Sequence, residues 1–265
     1  MKTVTSKDGT KIAYDRIGKG PAVLLVDGAF CSRAFGPMPG LAPLLAPHFT
    51  VITYDRRGRN ESGDTEPYAV EREVEDIEAL IVEAGGSAYV YGISSGAMLA
   101  LHAAARLPGR IKKLALYEPP LVLDDSRPPI PKDYLEQFKE MLASGRRGDM
   151  VEHFMTKGVG MPIETVAPMR NMPMWPALEA VAHTLIYDTT IMGDFSLSTE
   201  LKELAASIRV PALVMGGGAS PESLHHAVRA VAGAIPGAQL RVLEGQTHEV
   251  APDVIAPVLV EFFAT

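Results

Sequence analysis

Two adjacent serines between glycines carry the clearest chemical signal in the sequence. Residues 92–96 read Gly-Ile-Ser-Ser-Gly, and glycines two positions to either side of Ser94 suit a turn too sharp for neighbouring Cβ atoms. The spacing favours Ser94 over Ser95 as a nucleophile, because with Ser95 in that role Ile93 would hold a position that requires a small residue. Ser95 would instead offer its backbone N–H, at the start of a helix, to a developing oxyanion. The alternative is a glycine-rich turn with serine caps.

A serine nucleophile needs a base, and His248 is the best-placed histidine. It follows the apolar run 238–245 by three residues and precedes the last predicted helix, so a loop would carry it across the top of a sheet. The other histidines have weaker cases, although His153 and His183 are candidates for a pocket wall. No histidine cluster has metal-ligand spacing and no glycine-rich dinucleotide fingerprint follows the first strand, so we expect neither a metal nor another cofactor.

The elements around these residues alternate between strands and helices. Apolar, β-branched runs predict strands at 11–17, 22–28, 49–55, 88–93, 111–120, 210–218 and 238–245. Helical periodicity fills most of the intervals between them. This alternation indicates an α/β fold with a mostly parallel sheet that carries helices on both faces. The turn at Asp8-Gly9 predicts a hairpin at the start of the chain.

The alternation stops between Pro119 and Arg209. Eight of the 12 methionines and the only tryptophan fall in this stretch. Helical patterns occur there without a comparable strand, at 133–145, 149–158 and 176–188. We therefore predict a core domain of residues 1–118 and 210–265, and a helical cap of residues 119–209 laid over the sheet.

Composition limits the class of partner. The 265 residues have a formal net charge of −7 and no run of Lys and Arg, which disfavours a nucleic-acid or anionic-membrane surface. No signal-peptide pattern is visible, and no apolar run reaches the roughly 18 residues that would span a bilayer. The single cysteine, Cys31, suits a reducing cytosol. We expect a soluble, cytoplasmic protein that acts on a small-molecule substrate, and a homo-oligomer is compatible with this sequence.

Four further segments resemble motifs of the α/β-hydrolase superfamily. LLVDGAF at 24–30 is similar to the family's HG-x segment, and YDRRGRNES at 54–62 is similar to its D-x-R-G-x-G-x-S loop. VPALVMGGGASP at 210–221 is similar to the strand after the cap. EGQTHEVAP at 244–252 is similar to the segment that carries the catalytic histidine. The resemblance covers nearly the whole chain. It implies an eight-stranded, mostly parallel sheet, a helical cap inserted after the sixth strand, and the chain order nucleophile, acid, histidine.

One departure from the family pattern concerns the oxyanion site. Asp27 stands where many members have a histidine, and a carboxylate aimed at an oxyanion would oppose catalysis. We therefore expect Asp27 to turn away and hydrogen-bond its own loop, with contact to substrate as the alternative. The resemblance implies that the N–H of Ala29 is the second oxyanion donor beside that of Ser95, and Phe30 is the alternative donor.

A second departure concerns the acid. Ser220 occupies the position of the family's aspartate, and a serine cannot stabilise an imidazolium. Another carboxylate must serve, or the triad is incomplete. Glu118 ends the strand at 111–120, at the edge of the sheet where ligands gather in open α/β folds, and some family members take their acid from this strand. We expect Glu118 to be the acid; the rivals are Glu222, Asp124 and Asp125.

Together these residues predict a serine hydrolase that cleaves a carboxylic ester or a related acyl bond through Ser94, His248 and Glu118. The cap would select a small, apolar substrate. The candidate wall residues are Phe30, Phe154, Met174 and Trp175. Two other functions use the same parts: a small-molecule-binding protein that has lost turnover, which Ser220 would favour, and lyase or cofactor-free haloperoxidase chemistry.

Overall fold

Eight strands form the centre of the computed structural model, which describes residues 1–264. They are β1 (Lys2–Thr5), β2 (Lys11–Gly18), β3 (Ala22–Val26), β4 (Thr50–Tyr54), β5 (Ala88–Ile93), β6 (Ile111–Tyr117), β7 (Ala212–Gly217) and β8 (Gln239–Leu243). Their spatial order is β1-β2-β4-β3-β5-β6-β7-β8. β2 pairs antiparallel with β1 and β4, and the remaining pairs are parallel. The predicted mostly parallel sheet and the opening hairpin are confirmed.

Helices cover both faces of this sheet. The α-helices are α1 (Met38–Leu45), α2 (Val70–Glu83), α3 (Ser95–Arg106), α4 (Tyr134–Ala143), α5 (Arg147–His153), α6 (Ile163–Val166), α7 (Trp175–Val181), α8 (Leu185–Met192), α9 (Thr199–Ala206), α10 (Glu222–Ala234) and α11 (Pro252–Ala264). Helices α2, α3 and α10 pack on one face, and α1 and α11 pack on the other. All five residues of β3 are buried, as a parallel strand covered on both sides requires.

Helix α1 was not predicted from the sequence, because prolines interrupt its apolar pattern. Pro39 stands at the second helical position, where the missing N–H has no intrahelical partner to lose. The apolar side chains of Met38, Leu41 and Leu45 are buried against α11. Burial of each large apolar side chain contributes roughly 1.5–3 kcal/mol, so tertiary packing stabilises a helix that local propensity disfavours.

The regular elements that the structure describes between β6 and β7 are all helices. A π-helix at Phe154–Val159 follows α5, and 3-10 turns at Ala167–Asn171 and Ala182–Thr184 flank α7. These helices share a hydrophobic cluster of their own, which comprises Tyr134, Phe138, Met150, Val151, Val166, Trp175, Leu178, Ala182 and Leu185. The helical patterns of this stretch are therefore matched by helices, while the division into a core domain and a cap stays a prediction.

Candidate active site

Ser94 lies at a sharp turn between β5 and α3. The first residue of α3 is Ser95, and Ser94 has φ 58° and ψ −130°, a strained conformation for a residue with a side chain. A Cβ on Gly92 would lie 2.4 Å from the carbonyl oxygen of Gly96, and a Cβ on Gly96 would lie 2.4 Å from two carbonyl oxygens at the end of β3. The turn therefore requires both glycines, and it presents Ser94 at the carboxyl edge of the sheet.

Glu118 and His248 meet at the same edge. Glu118 follows β6, is 0% exposed, and has its Oε2 2.8 Å from Nδ1 of His248. Its Oε1 accepts a hydrogen bond of 2.7 Å from the N–H of Gly217, at the end of β7. Because a carboxylate only accepts hydrogen bonds, Nδ1 of the neutral imidazole carries the proton and Nε2 is left as a base.

The surroundings of Glu118 keep it charged. Burial raises the pKa of this carboxyl group, but hydrogen bonds from His248 and the Gly217 N–H hold the pKa below its ordinary value. The hydroxyl of Ser220, which occupies the family's acid position, also lowers this pKa, although its geometry falls short of a hydrogen bond. An ionised carboxylate at this distance stabilises the imidazolium that forms when His248 takes up a proton.

The three rival acids lie elsewhere. Asp124 is hydrogen-bonded to Nδ1 of His226, and Nε2 of the same ring lies 3.4 Å from Glu222, whose side chain is 74% exposed. Asp125 is exposed next to Asp124. The structure brings Glu118, and none of these three carboxylates, to His248.

Ser94 and His248 line one cavity of about 580 Å³. Its wall is largely apolar, and Phe154 and Val159 of the π-helix form part of it. Glu249 is the only carboxylate on this wall among the described residues, and no lysine or arginine lines it. A concave, apolar site with a few polar groups is typical of small-molecule binding.

The loop after β3 passes beside the serine. A Cβ on Gly28 would lie 3.0 Å from Cβ of Ser94, and the next residue, Ala29, lines the cavity. Ser95 opens α3, so its N–H belongs to the first turn, where backbone donors have no intrahelical acceptor. The backbone N–H groups of Ala29 and Ser95 are therefore the candidate oxyanion donors next to Ser94. Phe30 has φ 63° and is not part of the cavity wall.

The model of a known protein family matches residues 22–258 of this sequence, which include the turn at Ser94, Glu118 and His248. Its description is "Alpha/beta hydrolase family". The chain belongs to this family. The membership that the sequence motifs predicted, and the fold that it implied, are confirmed by this match and by the sheet topology.

Several individual proteins are also similar to the chain. The crystal structure of an alpha/beta hydrolase from Sphaerobacter thermophilus is 57% identical, covers 99% of this chain and 100% of that chain, and superposes with a TM-score of 0.91. YraK of Bacillus subtilis, an uncharacterized hydrolase, is 33% identical over 150 residues, which are 54% of this chain. A pimeloyl-[acyl-carrier protein] methyl ester esterase of Xanthomonas campestris is 35% identical over 141 residues, or 51% of this chain. The chain spans about half (53%) of the length of each of these two curated relatives.

This α/β-hydrolase does not bring all the predicted wall residues to the cavity. Phe154 lines it, and the ring of Phe30 packs edge-on against Phe154 with 5.2 Å between centroids. Trp175 is 3% exposed, lies in the cluster of the inserted helices, and donates a 2.9 Å hydrogen bond from Nε1 to Glu179. Met174 packs against the same cluster. The side chains of Met174 and Trp175 therefore lie outside the cavity, because they pack against the hydrophobic cluster of the inserted helices.

Asp27 is buried behind the wall of the site. It is 3% exposed, and its Oδ1 has no hydrogen-bond partner among the described residues, while the thiol of Cys31 in the same loop interacts with the carboxyl group. Burial raises the pKa of Asp27 to about 8, against the lowering effect of Arg59, Arg56 and the neighbouring Cys31 thiol. The carboxyl group is therefore largely neutral near pH 7 and does not oppose an oxyanion.

Cys31 is a protonated thiol rather than a nucleophile. Burial and the neighbouring Asp27 raise its pKa to about 12. A thiol with such a pKa has almost no thiolate at neutral pH, and the thiolate is the reactive form. This environment is typical of a cysteine that packs as a small apolar residue.

The two histidines considered for a pocket wall are held by other contacts. His153 packs against the rings of Tyr134 and Phe138, with centroid distances of 5.0 and 5.5 Å. Nε2 of His183 lies 3.4 Å from Asp64.

Within residues 1–264 no group of three or more His, Cys, Asp or Glu side chains is arranged to hold a metal ion. None of the helices over the same residues is both long and apolar enough to cross a bilayer.

Asp188 was not among the predicted site residues; it lies in the apolar helix α8 and is 3% exposed. Its carboxylate accepts hydrogen bonds of 2.7 Å from Arg56, from Arg59 and from Oγ of Ser95. Burial raises the pKa of Asp188, but the two guanidinium groups and the serine hydroxyl hold it below its ordinary value. The available signal was an aspartate within the apolar run 185–192, since a buried charge requires partners.

Proposed function

We propose that this α/β-hydrolase cleaves a carboxylic ester, or a related acyl bond, of a small apolar substrate through Ser94, His248 and Glu118. The observation that carries the proposal is the 2.8 Å contact between His248 Nδ1 and the buried Glu118, in a histidine that lines the same cavity as the strained Ser94. A base oriented by an acid, beside a serine on a sharp turn, is the arrangement that acyl transfer requires.

The chemistry follows from the tautomer of His248. Its Nε2 takes the proton of the Ser94 hydroxyl while Oγ forms a bond to the acyl carbon, and Glu118 stabilises the imidazolium. The N–H groups of Ala29 and Ser95 bind the oxyanion of the tetrahedral intermediate. The imidazolium then returns its proton to the leaving alcohol oxygen, and an acyl-enzyme remains on Ser94. Water then attacks the acyl carbon and gives a proton to Nε2. As the bond between the acyl carbon and Oγ breaks, the imidazolium returns this proton to Oγ, which releases the carboxylic acid and regenerates Ser94 and the neutral His248.

The substrate class is inferred from the wall of the cavity. A volume of about 580 Å³ accommodates a small acyl group and a small alcohol, and the apolar lining favours aliphatic or aromatic groups over charged ones. Glu249 adds a negative charge at the wall, which disfavours substrates that carry a carboxylate. The ester named for the Xanthomonas campestris relative supports ester chemistry.

A covalent probe and a substrate series test the proposal together. We expect a fluorophosphonate to label the wild-type protein once, and labelling and p-nitrophenyl ester turnover to vanish in Ser94→Ala. Ser144→Ala, an exposed serine at the end of α4, is the matched control and should keep both activities. Among acyl chains from acetyl to octanoyl, neutral chains should exceed a succinyl half-ester in kcat/KM. Labelling that persists in Ser94→Ala would contradict the proposal, and a wild-type protein without labelling or turnover would favour a non-catalytic binding protein.

A further inference from the structure

Four charged side chains form a buried cluster behind the candidate oxyanion site. Arg56, Arg59, Glu73 and Asp188 are each at most 3% exposed. Arg56 pairs with Glu73 through two hydrogen bonds of 2.7 Å and with Asp188 through a third, and Arg59 binds the other oxygen of Asp188 at 2.7 Å. The two positive and two negative charges balance, which is the condition under which charges are tolerated in an interior.

The cluster binds the loop that carries Ala29. Nη1 of Arg59 donates a hydrogen bond of 2.5 Å to the carbonyl oxygen of Gly28 and one of 3.3 Å to that of Cys31. The carbonyl of Gly28 belongs to the same peptide unit as the N–H of Ala29. Because C=O and N–H point in opposite directions across a trans peptide, a guanidinium held on the carbonyl side directs the Ala29 N–H away from Arg59. The charge also polarises the peptide, which strengthens its N–H as a donor.

The same cluster binds the turn that carries the other donor. Oδ1 of Asp188 accepts a 2.7 Å hydrogen bond from Oγ of Ser95, the first residue of α3. Asp188 thus fixes the side chain of Ser95 and, through its second oxygen, the guanidinium of Arg59. One carboxylate from α8 thereby links the side chain of Ser95 to Arg59, which in turn holds the Gly28–Ala29 peptide.

We propose that Arg59 and Asp188 are positioning residues for the oxyanion site, an inference that rests on the proposed function. Arg59 orients and polarises the Gly28–Ala29 peptide, and Asp188 fixes the positions of Arg59 and Ser95 relative to each other. Neither side chain lines the cavity, so they act on the reaction only through the N–H groups of Ala29 and Ser95. Preorganised donors stabilise the transition state more than the bound ester. Replacement of Arg59 or Asp188 should therefore lower kcat and leave KM nearly unchanged.

A neighbouring arginine provides a matched control. Arg57 fills the arginine position of the D-x-R-G-x-G-x-S motif and is 0% exposed. It makes a two-pronged pair with Asp76 at 2.8 Å and a 2.9 Å bond to Asp8, without a hydrogen bond to the oxyanion loop. A lysine cannot reproduce the fork of a guanidinium, so Arg57→Lys and Arg59→Lys impose a similar loss of buried pairing at adjacent sites.

The experiment compares Arg59→Lys, Asp188→Asn and Arg57→Lys by steady-state kinetics and by inhibition with an alkylboronic acid, which forms a tetrahedral adduct on Ser94. We expect Arg59→Lys and Asp188→Asn to lose kcat by about 10- to 100-fold with KM within about twofold. Affinity for the boronic acid should fall by the same factor. Arg57→Lys should lower Tm while kcat and boronic acid affinity stay within about twofold of wild type. Asp188→Asn preserves side-chain volume and provides a second variant if Arg59→Lys fails to fold, with the Tm of each variant measured beside its kinetics.

Two results would overturn the inference while the proposed function stands. In the first, Arg59→Lys and Asp188→Asn keep wild-type kcat and boronic acid affinity. In the second, Arg57→Lys loses kcat as severely as Arg59→Lys, which would mean that the buried charges act through general packing. A wild-type protein without Ser94-dependent turnover would instead refute the proposed function, and the inference would fall with it.

Discussion

The buried carboxylate of Glu118 and the imidazole of His248 share a 2.8 Å hydrogen bond, although 130 residues separate them in the chain. The carboxylate is inaccessible to water, whereas 41% of the histidine side chain is exposed. The loop that carries the ring is fixed just before it, since the hydroxyl of Tyr117 donates a 2.6 Å bond to the carbonyl oxygen of Thr247. One side of the imidazole is thus held rigidly, and the other is free to meet a substrate.

Replacement of Glu118 by glutamine should impair chemistry without loss of substrate binding. The amide keeps the shape of the side chain but cannot stabilise an imidazolium, and it favours the wrong tautomer of His248. We expect kcat for a p-nitrophenyl ester to fall by about 10²- to 10⁴-fold in Glu118→Gln. Glu222→Gln removes an exposed carboxylate and should leave kcat unchanged. The assignment of the acid fails if Glu222→Gln is the variant that collapses.

The effect of Ser220→Asp on kcat should depend on residue 118: a decrease when Glu118 is present and an increase when it is replaced by glutamine. In the wild-type background, Ser220→Asp places a second carboxylate beside Glu118, and repulsion between like charges raises the pKa of the pair and weakens its support of His248. In the Glu118→Gln background, the new carboxylate is the only one there. We expect Ser220→Asp alone to reduce kcat and the double variant to exceed Glu118→Gln by at least about tenfold, a strong departure from additivity. Additive effects on kcat would show that position 220 does not reach His248.

Ionisation of Asp27 should limit both activity and stability at alkaline pH. Its pKa is raised to about 8 by burial, so above that pH a negative charge develops behind the oxyanion loop. We expect kcat/KM of the wild-type enzyme to decline above pH 8 and Asp27→Asn, which mimics the neutral acid, to lack this decline. An identical alkaline limb in both proteins would assign the decline to another group.

The stability effect of Asp27 has a definite sign. An unfolded aspartate titrates at about pH 3.9, so between about pH 4 and pH 8 the folded protein keeps a proton that the unfolded chain has released. The contribution of this group is fully present below that window and is lost as pH rises through it. The Tm of Asp27→Asn relative to wild type should therefore increase from pH 5 to pH 9. A Tm difference independent of pH would contradict the raised pKa.

Two aromatic residues of the inserted helices should affect different properties. Phe154 lines the cavity and packs against Phe30, so Phe154→Ala should enlarge the site and shift the preferred acyl chain to a longer one. Trp175 is buried away from the cavity, so Trp175→Phe should lower Tm and leave the chain-length profile of kcat/KM unchanged. A changed profile in Trp175→Phe would mean that its ring reaches the substrate after all.

From the sequence, the strand ends that lie together at the site could be predicted, whereas the side chains that face the cavity could be predicted only in part. Ser94, Glu118 and His248 each follow a strand of the sheet, and the carboxyl ends of parallel strands share one edge, so pattern and motif sufficed to place them together. Their catalytic roles remain proposals. Trp175 and Met174 could not be placed, because helical spacing does not reveal which face of a helix in a bundle borders the cavity.

The buried charges were harder to foresee for another reason. Arg56 and Arg59 occupy positions that the loop motif leaves open, and their partner Asp188 lies about half the chain away. Loops rich in arginine are usually solvated, and only the tertiary structure shows that this one is enclosed.

The ion pair between Arg59 and Asp188 restricts how this protein can be recombined with its relatives. A chimaera whose helices between β6 and β7 came from a hydrolase without an aspartate and a threonine at these positions would lose Asp188 and Thr184, the side-chain partners of Arg59, while the guanidinium stayed enclosed. Segment exchange in this molecule must therefore transfer the loop after β4 together with helix α8, so that donor and acceptor travel as one unit.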